Sequence, residues 1–271
     1  DMMSREKSRE DMFSMEESQF RSWIEKGTSP SSKGNIYPAE KDRYLLYVSY
    51  ACPFANRTLI MLNLKGLTNF IDVVVVNPIR EGHDWDFNPY PGATKEPVFN
   101  AKDLREVYEQ VSPNSSGVVS VPVLFDKKTK TIVNNESAEI IRMLNDAFND
   151  SGANSEDFYP ASLSKEIDDI NERIAEDINL GVYKAGFAKT QDHYMEAVTK
   201  LFQALDEIED HLQDKDYLVG DQLTEADIRL FTTLIRFDAV YYGHFKCNLK
   251  AIKDYPHLSA YTRRLYQIPA F

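Results

Sequence analysis

The rhythm of apolar positions along the chain changes once, near residue 150. Before it, apolar runs of strand length alternate with helical stretches. Residues 42–49 (DRYLLYVS) and 71–79 (IDVVVVNPI) predict buried strands. Between them, 53–66 (PFANRTLIMLNLKG) predicts a helix, with Pro53 in its first turn and Gly66 past its end. Residues 80–117 read as an insertion in which 101–111 (AKDLREVYEQV) is helical. A third strand, 119–126 (VSVPVLFD), the turn KKTK, a fourth strand, 131–135 (TIVNN), and a helix, 137–148 (SAEIIRMLNDAF), follow. Strands joined through a helix pair in parallel with a right-handed crossover, and strands joined by a four-residue turn form a hairpin. The expected product is a mixed four-stranded sheet with helices on both faces.

From residue 150 the strand signals stop. Leu163, Ile167, Ile170, Ile174 and Ile178 fall on one helical face, as do Val198, Leu201, Leu205, Ile208 and Leu212. Thr224 stands three residues before Asp227, a capping-box pattern that opens an apolar helix, and 255–268 predicts another. The second half is therefore all-helical, with the boundary in the polar stretch NDSGANSEDF. The expected division is an N-terminal arm over 1–40, an α/β domain over 41–150 and an all-α domain over 151–271. The arm is polar and Ser-rich; disorder and an ordered strap on the body both stay open for it.

Net charge adds an exclusion. At −12, the chain has no general basic face for nucleic acid, although a local cluster of cations can still hold a small anion. No apolar run is long enough to cross a bilayer. Two cysteines, Cys52 and Cys247, are too few for a disulfide-stapled fold and suit a reducing compartment. The expected location is the cytoplasm; the chain begins with Asp1, so an upstream organellar targeting segment remains compatible with it. Five histidines show no metal-ligand spacing with acids or cysteines, and no metal is expected.

The candidate chemistry begins at Cys52. It lies just before a helix, where unpaired backbone N–H groups and the peptide dipole favour thiolate over thiol. Such sites lower a cysteine pKa from about 8.5 to about 3.5–7.5. In Cys52-Pro53-Phe54-Ala55 there is no second cysteine two residues on, so a disulfide formed here takes its other sulfur from outside. Cys247, in HFKCNL, has no such setting and reads as a packing or surface residue. Pro122 inside an apolar run is explained if the strand starts after it and Val121-Pro122 is cis. Glu136 and Ser137 open the next helix, a place for capping or for an anion.

A cysteine-start helix, a Val-Pro before a strand, a Glu-Ser opening the next helix and a helical second half together resemble the glutathione transferase fold. CPFANRTLI, DWDF, NNESAEIIRM, GVYKAGFA and TLIRFDAVYYGHFKCN are similar to the cysteine-type, omega-like Xi class, the glutathionyl-hydroquinone reductases. The resemblance covers roughly residues 40–271 and implies a thioredoxin-like N-terminal domain, glutathione as co-substrate, a glutathionylated quinone or hydroquinone as partner, and a homodimer.

By that resemblance, Cys52 is the catalytic thiolate and the backbone of Val121, before Pro122, pairs with the cysteinyl part of glutathione. Glu136 takes the γ-glutamyl ammonium and Ser137 its carboxylate, while Trp85 covers the tripeptide. Tyr183 and Tyr241 offer phenolic O–H groups to the second substrate. The reaction implied passes through a Cys52–glutathione mixed disulfide and releases hydroquinone and oxidised glutathione. An omega-like thiol transferase or dehydroascorbate reductase would use Cys52 without needing both tyrosines, and a non-catalytic binding module would use neither. Four positions depart from the family pattern: Phe54 and Asn56 replace Trp and His, Asp84 replaces Gly, and Val118 replaces an Arg. Lys127, Lys128 and Arg80 are the cations near enough in sequence to substitute for that Arg.

Overall fold

The computed structural model describes residues 13–26, 35–82, 84–114 and 117–271. The chain divides into two compact units. One comprises Glu16–Asp157 with Ala270; the other comprises Phe158–Pro269 and Phe271 with the described residues up to Met15.

The first unit is built on four strands, β3 (Tyr44–Val48), β4 (Asp72–Val75), β5 (Val123–Asp126) and β6 (Thr131–Asn134), in the order β4-β3-β5-β6. Strand β3 is buried throughout, as its unbroken apolar run requires. It pairs in parallel with β4 across the helix α1 (Pro53–Leu64), and antiparallel with β5. Strands β5 and β6 form the hairpin expected from the KKTK turn, and α3 (Ser137–Asp146) follows. In the insertion, α2 (Leu104–Val111) begins at Asp103, whose carboxylate accepts the Glu106 N–H at 2.9 Å.

Two short strands, β1 (Trp23–Glu25) and β2 (Ile36–Pro38), pair in parallel in a region where the polar composition gave no strand signal. What holds them is tertiary. Ile24 is fully buried, its N–H donates to the Met143 sulfur at 3.3 Å, and Arg21 pairs antiparallel with Asn134 on the β6 edge. The strap reading therefore holds for the described part of 1–40; residues 1–12 and 27–34 lie outside the described residues.

Register decides where the chemistry lands. Tyr47 faces Val123 and Tyr44 faces Asp126, so the end of β3 and the start of β5 share one end of the sheet. Leu124 faces Asn134, which brings the end of β6 to that same end. Cys52 after β3, Val121-Pro122 before β5 and Glu136-Ser137 after β6 are thus gathered by topology.

The second unit contains α4 (Ser164–Ile174), α5 (Gly181–Gly186), α6 (Gln191–His211), α7 (Glu225–Arg236) and α8 (Pro256–Tyr266). The predicted apolar stripes form its core: Ile167, Ile174, Ile178, Val198, Leu201 and Leu205 are all buried. Asp227 accepts the Thr224 N–H at 2.9 Å, the Leu218 N–H at 3.0 Å and the Tyr261 hydroxyl at 2.6 Å. Burial outweighs these bonds and pushes its carboxyl up to about 6. Helical periodicity did not predict two wider π-helical turns, Ala175–Asn179 and Phe237–Tyr241. Each shifts the side chains that follow it by a fraction of a turn, a device often found at functional sites.

Candidate active site

Cys52 is the N-cap of α1, with Pro53 at the first helical position. Its sulfur accepts the Ala55 N–H at 3.5 Å, and its thiol donates to the Val121 carbonyl at 3.7 Å. The side chain is part-exposed, so a partner from solution can reach it. The helix start supplies N–H groups to the sulfur, and the carbonyl beside it belongs to the residue before a cis bond: Val121-Pro122 is cis, and β5 begins only at Val123. That carbonyl neighbourhood is held from outside, since the Tyr108 hydroxyl donates to the Ser120 carbonyl at 2.9 Å.

Glu136 is the N-cap of α3 and accepts the Ala138 N–H at 3.3 Å. Ser137 is buried, and its hydroxyl accepts from Arg57 Nη1 at 3.3 Å. Arg57 lies on α1, is 3% exposed, and stacks its guanidinium 4.9 Å from the Phe54 ring centroid. One helix therefore carries Cys52 at its start and, a turn later, an arginine bonded to the start of another helix. Sequence reasoning missed Arg57. The signal was present: a charged residue on the buried face of an apolar helix, beside Ile60 and Met61, belongs there only when paired.

Trp85 is half-buried, with its carbonyl accepting the Leu104 N–H at 2.8 Å and the Arg80 guanidinium 4.8 Å over its ring. Asp84 is ion-paired to Arg105. Of the three cations considered as substitutes at Val118, the sheet rules out two. Lys127 and Lys128 follow the far end of β5, six or more extended residues from Val121, about 20 Å away. They pair there with Asp72 and Glu40.

In the other unit, Tyr183 on α5 and Tyr241 on a π-helical turn are brought together, their ring centroids 6.0 Å apart. Phe245 lies 5.3 Å from both, and Phe13 and Phe187 stack beside Tyr183. Gly186 makes this cluster possible. A Cβ there would sit 2.4 Å from Phe245 Cγ, far inside contact distance. Cys247 is fully buried, and burial pushes its thiol up to about 12, in keeping with a packing role.

Among the described residues, no group of three His, Cys, Asp or Glu could hold a metal ion, and no helix is long and apolar enough to cross a membrane. Glutathione is the co-substrate that the site's relatives carry, as comparison with known proteins shows.

Residues 51–147 match the model of the glutathione S-transferase N-terminal domain, and residues 172–264 that of its C-terminal domain. The chain is 51% identical over 259 residues to the glutathionyl-hydroquinone reductase YqjG of Escherichia coli, covering 95% of this chain and 79% of that protein. It is 48% identical over 253 residues to the glutathionyl-hydroquinone reductase PcpF of Sphingobium chlorophenolicum, covering 93% and 78%. The glutathione-bound structure of YqjG superposes with a TM-score of 0.91 over 93% of this chain and 82% of that one. Glutathione transferase Xi 1 from Trametes versicolor gives 0.88 at 52% identity, over 93% and 87%.

Proposed function

Starting from a chain that belongs to the glutathione S-transferase family, we propose that it is a glutathione-dependent reductase that removes glutathione from glutathionyl-hydroquinones. The observation that carries this reading is the place of Cys52: a lone, part-exposed sulfur on a helix start, 3.7 Å from the carbonyl of Val121.

In the first step the Cys52 thiolate attacks the sulfur of the glutathionyl group. A Cys52–glutathione S–S bond forms and the bond from sulfur to the ring carbon breaks. The electron pair leaves with the ring, which is thereby reduced and takes up a proton as free hydroquinone. In the keto tautomer of the substrate that pair is received by a neighbouring carbonyl. Neutral tyrosine O–H groups are suitable donors to the oxygen where charge develops, and Tyr183 and Tyr241 are assigned that role. In the second step a glutathione thiolate attacks the mixed disulfide. Oxidised glutathione leaves, and Cys52 returns to its thiolate.

Binding of the tripeptide is assigned to the same end of the sheet. Val121 extends its backbone toward the cysteinyl unit as an added strand would. Glu136 receives the ammonium and Ser137 the carboxylate of the γ-glutamyl end, supported by Arg57 behind Ser137. Trp85 covers the chain. The same reading makes the protein a cytoplasmic homodimer, in a compartment whose glutathione pool resolves the mixed disulfide.

The test is direct. A glutathionyl-hydroquinone with excess glutathione should yield free hydroquinone and oxidised glutathione, followed by chromatography. Cys52→Ser should abolish this turnover while retaining glutathione binding. Release at the uncatalysed rate by the unsubstituted protein, or unchanged turnover by Cys52→Ser, would refute the assignment.

A further inference from the structure

The segment before β1 is built onto the start of α3. Its backbone runs antiparallel beside the end of β6: the Ser22 N–H donates to the Val133 carbonyl at 2.9 Å, and the Asn135 N–H to the Phe20 carbonyl at 3.1 Å. The Phe20 N–H returns a bond to the Asn135 side chain at 3.2 Å, and Arg21 holds Glu139 with Nη2 at 2.7 Å from Oε2. The Phe20 ring stands edge-on to Tyr108, 5.7 Å away. The backbone around residue 18 is therefore fixed.

Ser18, delivered by this backbone, donates its hydroxyl to Glu136 Oε2 at 3.0 Å; the Asn135 carbonyl is farther, at 3.4 Å. The other oxygen, Oε1, is occupied by the Ala138 N–H. Glu136 is thus oriented through both oxygens, each by a neutral donor. A carboxylate offers about four acceptor positions, so two used by fixed donors leave others for a ligand. Arg21, whose charge acts on Glu136 across space, is hydrogen-bonded to Glu139, and among the described residues no cation is hydrogen-bonded to Glu136. A carboxylate held rigid by uncharged donors, its own charge not neutralised by a contact, is prepared for a cation from outside.

We infer that Ser18 is a positioning residue that aims Glu136 at the γ-glutamyl ammonium of glutathione, an inference that rests on the glutathione-site reading given above. The hydroxyl does not touch the ligand. It fixes the rotamer of the carboxylate, which a charged partner would otherwise have to order on arrival. Replacing the hydroxyl leaves Glu136 free to rotate about the one remaining bond. The cost falls on ligands that carry the ammonium and spares those that lack it. A role in folding alone would make no such distinction.

The experiment measures how fast Cys52 is converted to a mixed disulfide, by intact mass, with two probes on the full chain. One is oxidised glutathione; the other is the disulfide of cysteinylglycine, which lacks the γ-glutamyl unit. In each, the Cys52 thiolate attacks a sulfur and the matching thiolate leaves. Ser18→Ala should slow the glutathione reaction about tenfold, the worth of a lost hydrogen bond to a charged group, and leave the cysteinylglycine reaction within about twofold. Ser18→Thr, which keeps the hydroxyl, should restore the glutathione rate. Equal rates for Ser18→Ala and the unsubstituted protein, or equal slowing with both probes, would overturn the inference. Glu136→Gln separates the two layers. Slow reaction of Glu136→Gln beside normal Ser18→Ala removes Ser18 alone, whereas a normal rate in Glu136→Gln removes the ammonium site itself.

Discussion

Gly186→Ala probes the aromatic cluster without touching a polar group. The new methyl carbon would lie 2.4 Å from Phe245 Cγ, 2.7 Å from Cδ1 and 2.8 Å from Cβ. These atoms are at the root of the ring, so a rotation of its tip does not relieve the clash. The whole Phe245 side chain must move, and it is in contact with Tyr183, Phe187 and Tyr241. Overpacking of this kind costs about 1–3 kcal/mol. Replacing Gly by Ala inside a helix returns about 0.5–1 kcal/mol, and less here because Gly186 is the last residue of α5. The net loss is about 1 kcal/mol, worth about 4–8 °C in the melting temperature of a unit near 100 residues. Calorimetry reads that loss. The same displacement moves the two tyrosines apart, so hydroquinone release should fall, while conversion of Cys52 by oxidised glutathione, which needs neither ring, should not. An unchanged melting temperature with unchanged hydroquinone release would refute the view that Gly186 sets this packing.

Two further outcomes test the unused cysteine and the buried ion pair. With excess iodoacetamide at pH 8, the folded protein should take one label, on Cys52, and a second only in denaturant, because burial pushes the Cys247 thiol up to about 12. Labelling of Cys247 at a comparable rate in the native state, located by peptide mass, would contradict this. Asp126 is fully buried; burial pushes its carboxyl up, but bonds from Arg43 Nε at 2.9 Å, Arg43 Nη2 at 2.8 Å and the Thr129 hydroxyl at 2.6 Å hold it below the usual range. Its contribution to stability is therefore present at neutral pH and lost as pH falls through the depressed pKa. Arg43→Met should cost about 3–5 kcal/mol at pH 7, by leaving a buried charge alone, and less in acid where Asp126 is protonated. A pH-independent difference in urea midpoints would show that the pair is not the cause.

How far the fold could be read in advance depended on where each signal resides. Strands β3 to β6 and helices α1 to α4 and α6 to α8 were legible because burial repeats at the period of the backbone, as in the unbroken run of β3, whereas α5, only six residues long, was not. Pro122 was legible as a break in such a run, and it is indeed the second residue of a cis bond. Strands β1 and β2 were not, since three residues carry no period; Ile24 is buried by Met143, which lies 119 positions away. The π-helical turns were hidden for a related reason. The first, Ala175–Asn179, ends on an Asn179 amide tied to the Arg229 carbonyl and the Thr233 hydroxyl, partners 50 and 54 positions away. Cys52 and Glu136 were legible because helix starts are local. Arg57 and Ser18 act across 80 and 118 positions, and only a folded chain brings them to Ser137 and Glu136.

The register of the sheet also explains why a single thiol suffices. With β5 antiparallel to both its neighbours, the chain leaves β3 and β6 at the end where it enters β5. Each departure at that end starts a helix, α1 after Cys52 and α3 after Glu136. Two helix starts, each with unpaired N–H groups, then face a common region, suited to a sulfur anion on one and a carboxylate on the other. On the proposed reading, glutathione lies along this end of the sheet and its own sulfur supplies the second half of the disulfide. Because position 55 is Ala, the mixed disulfide has no internal thiol to resolve it. By the proposed mechanism its lifetime is set by the supply of free thiol, and initial-rate kinetics should take a ping-pong form in which glutathione concentration governs the second half; intersecting rather than parallel double-reciprocal lines would refute this.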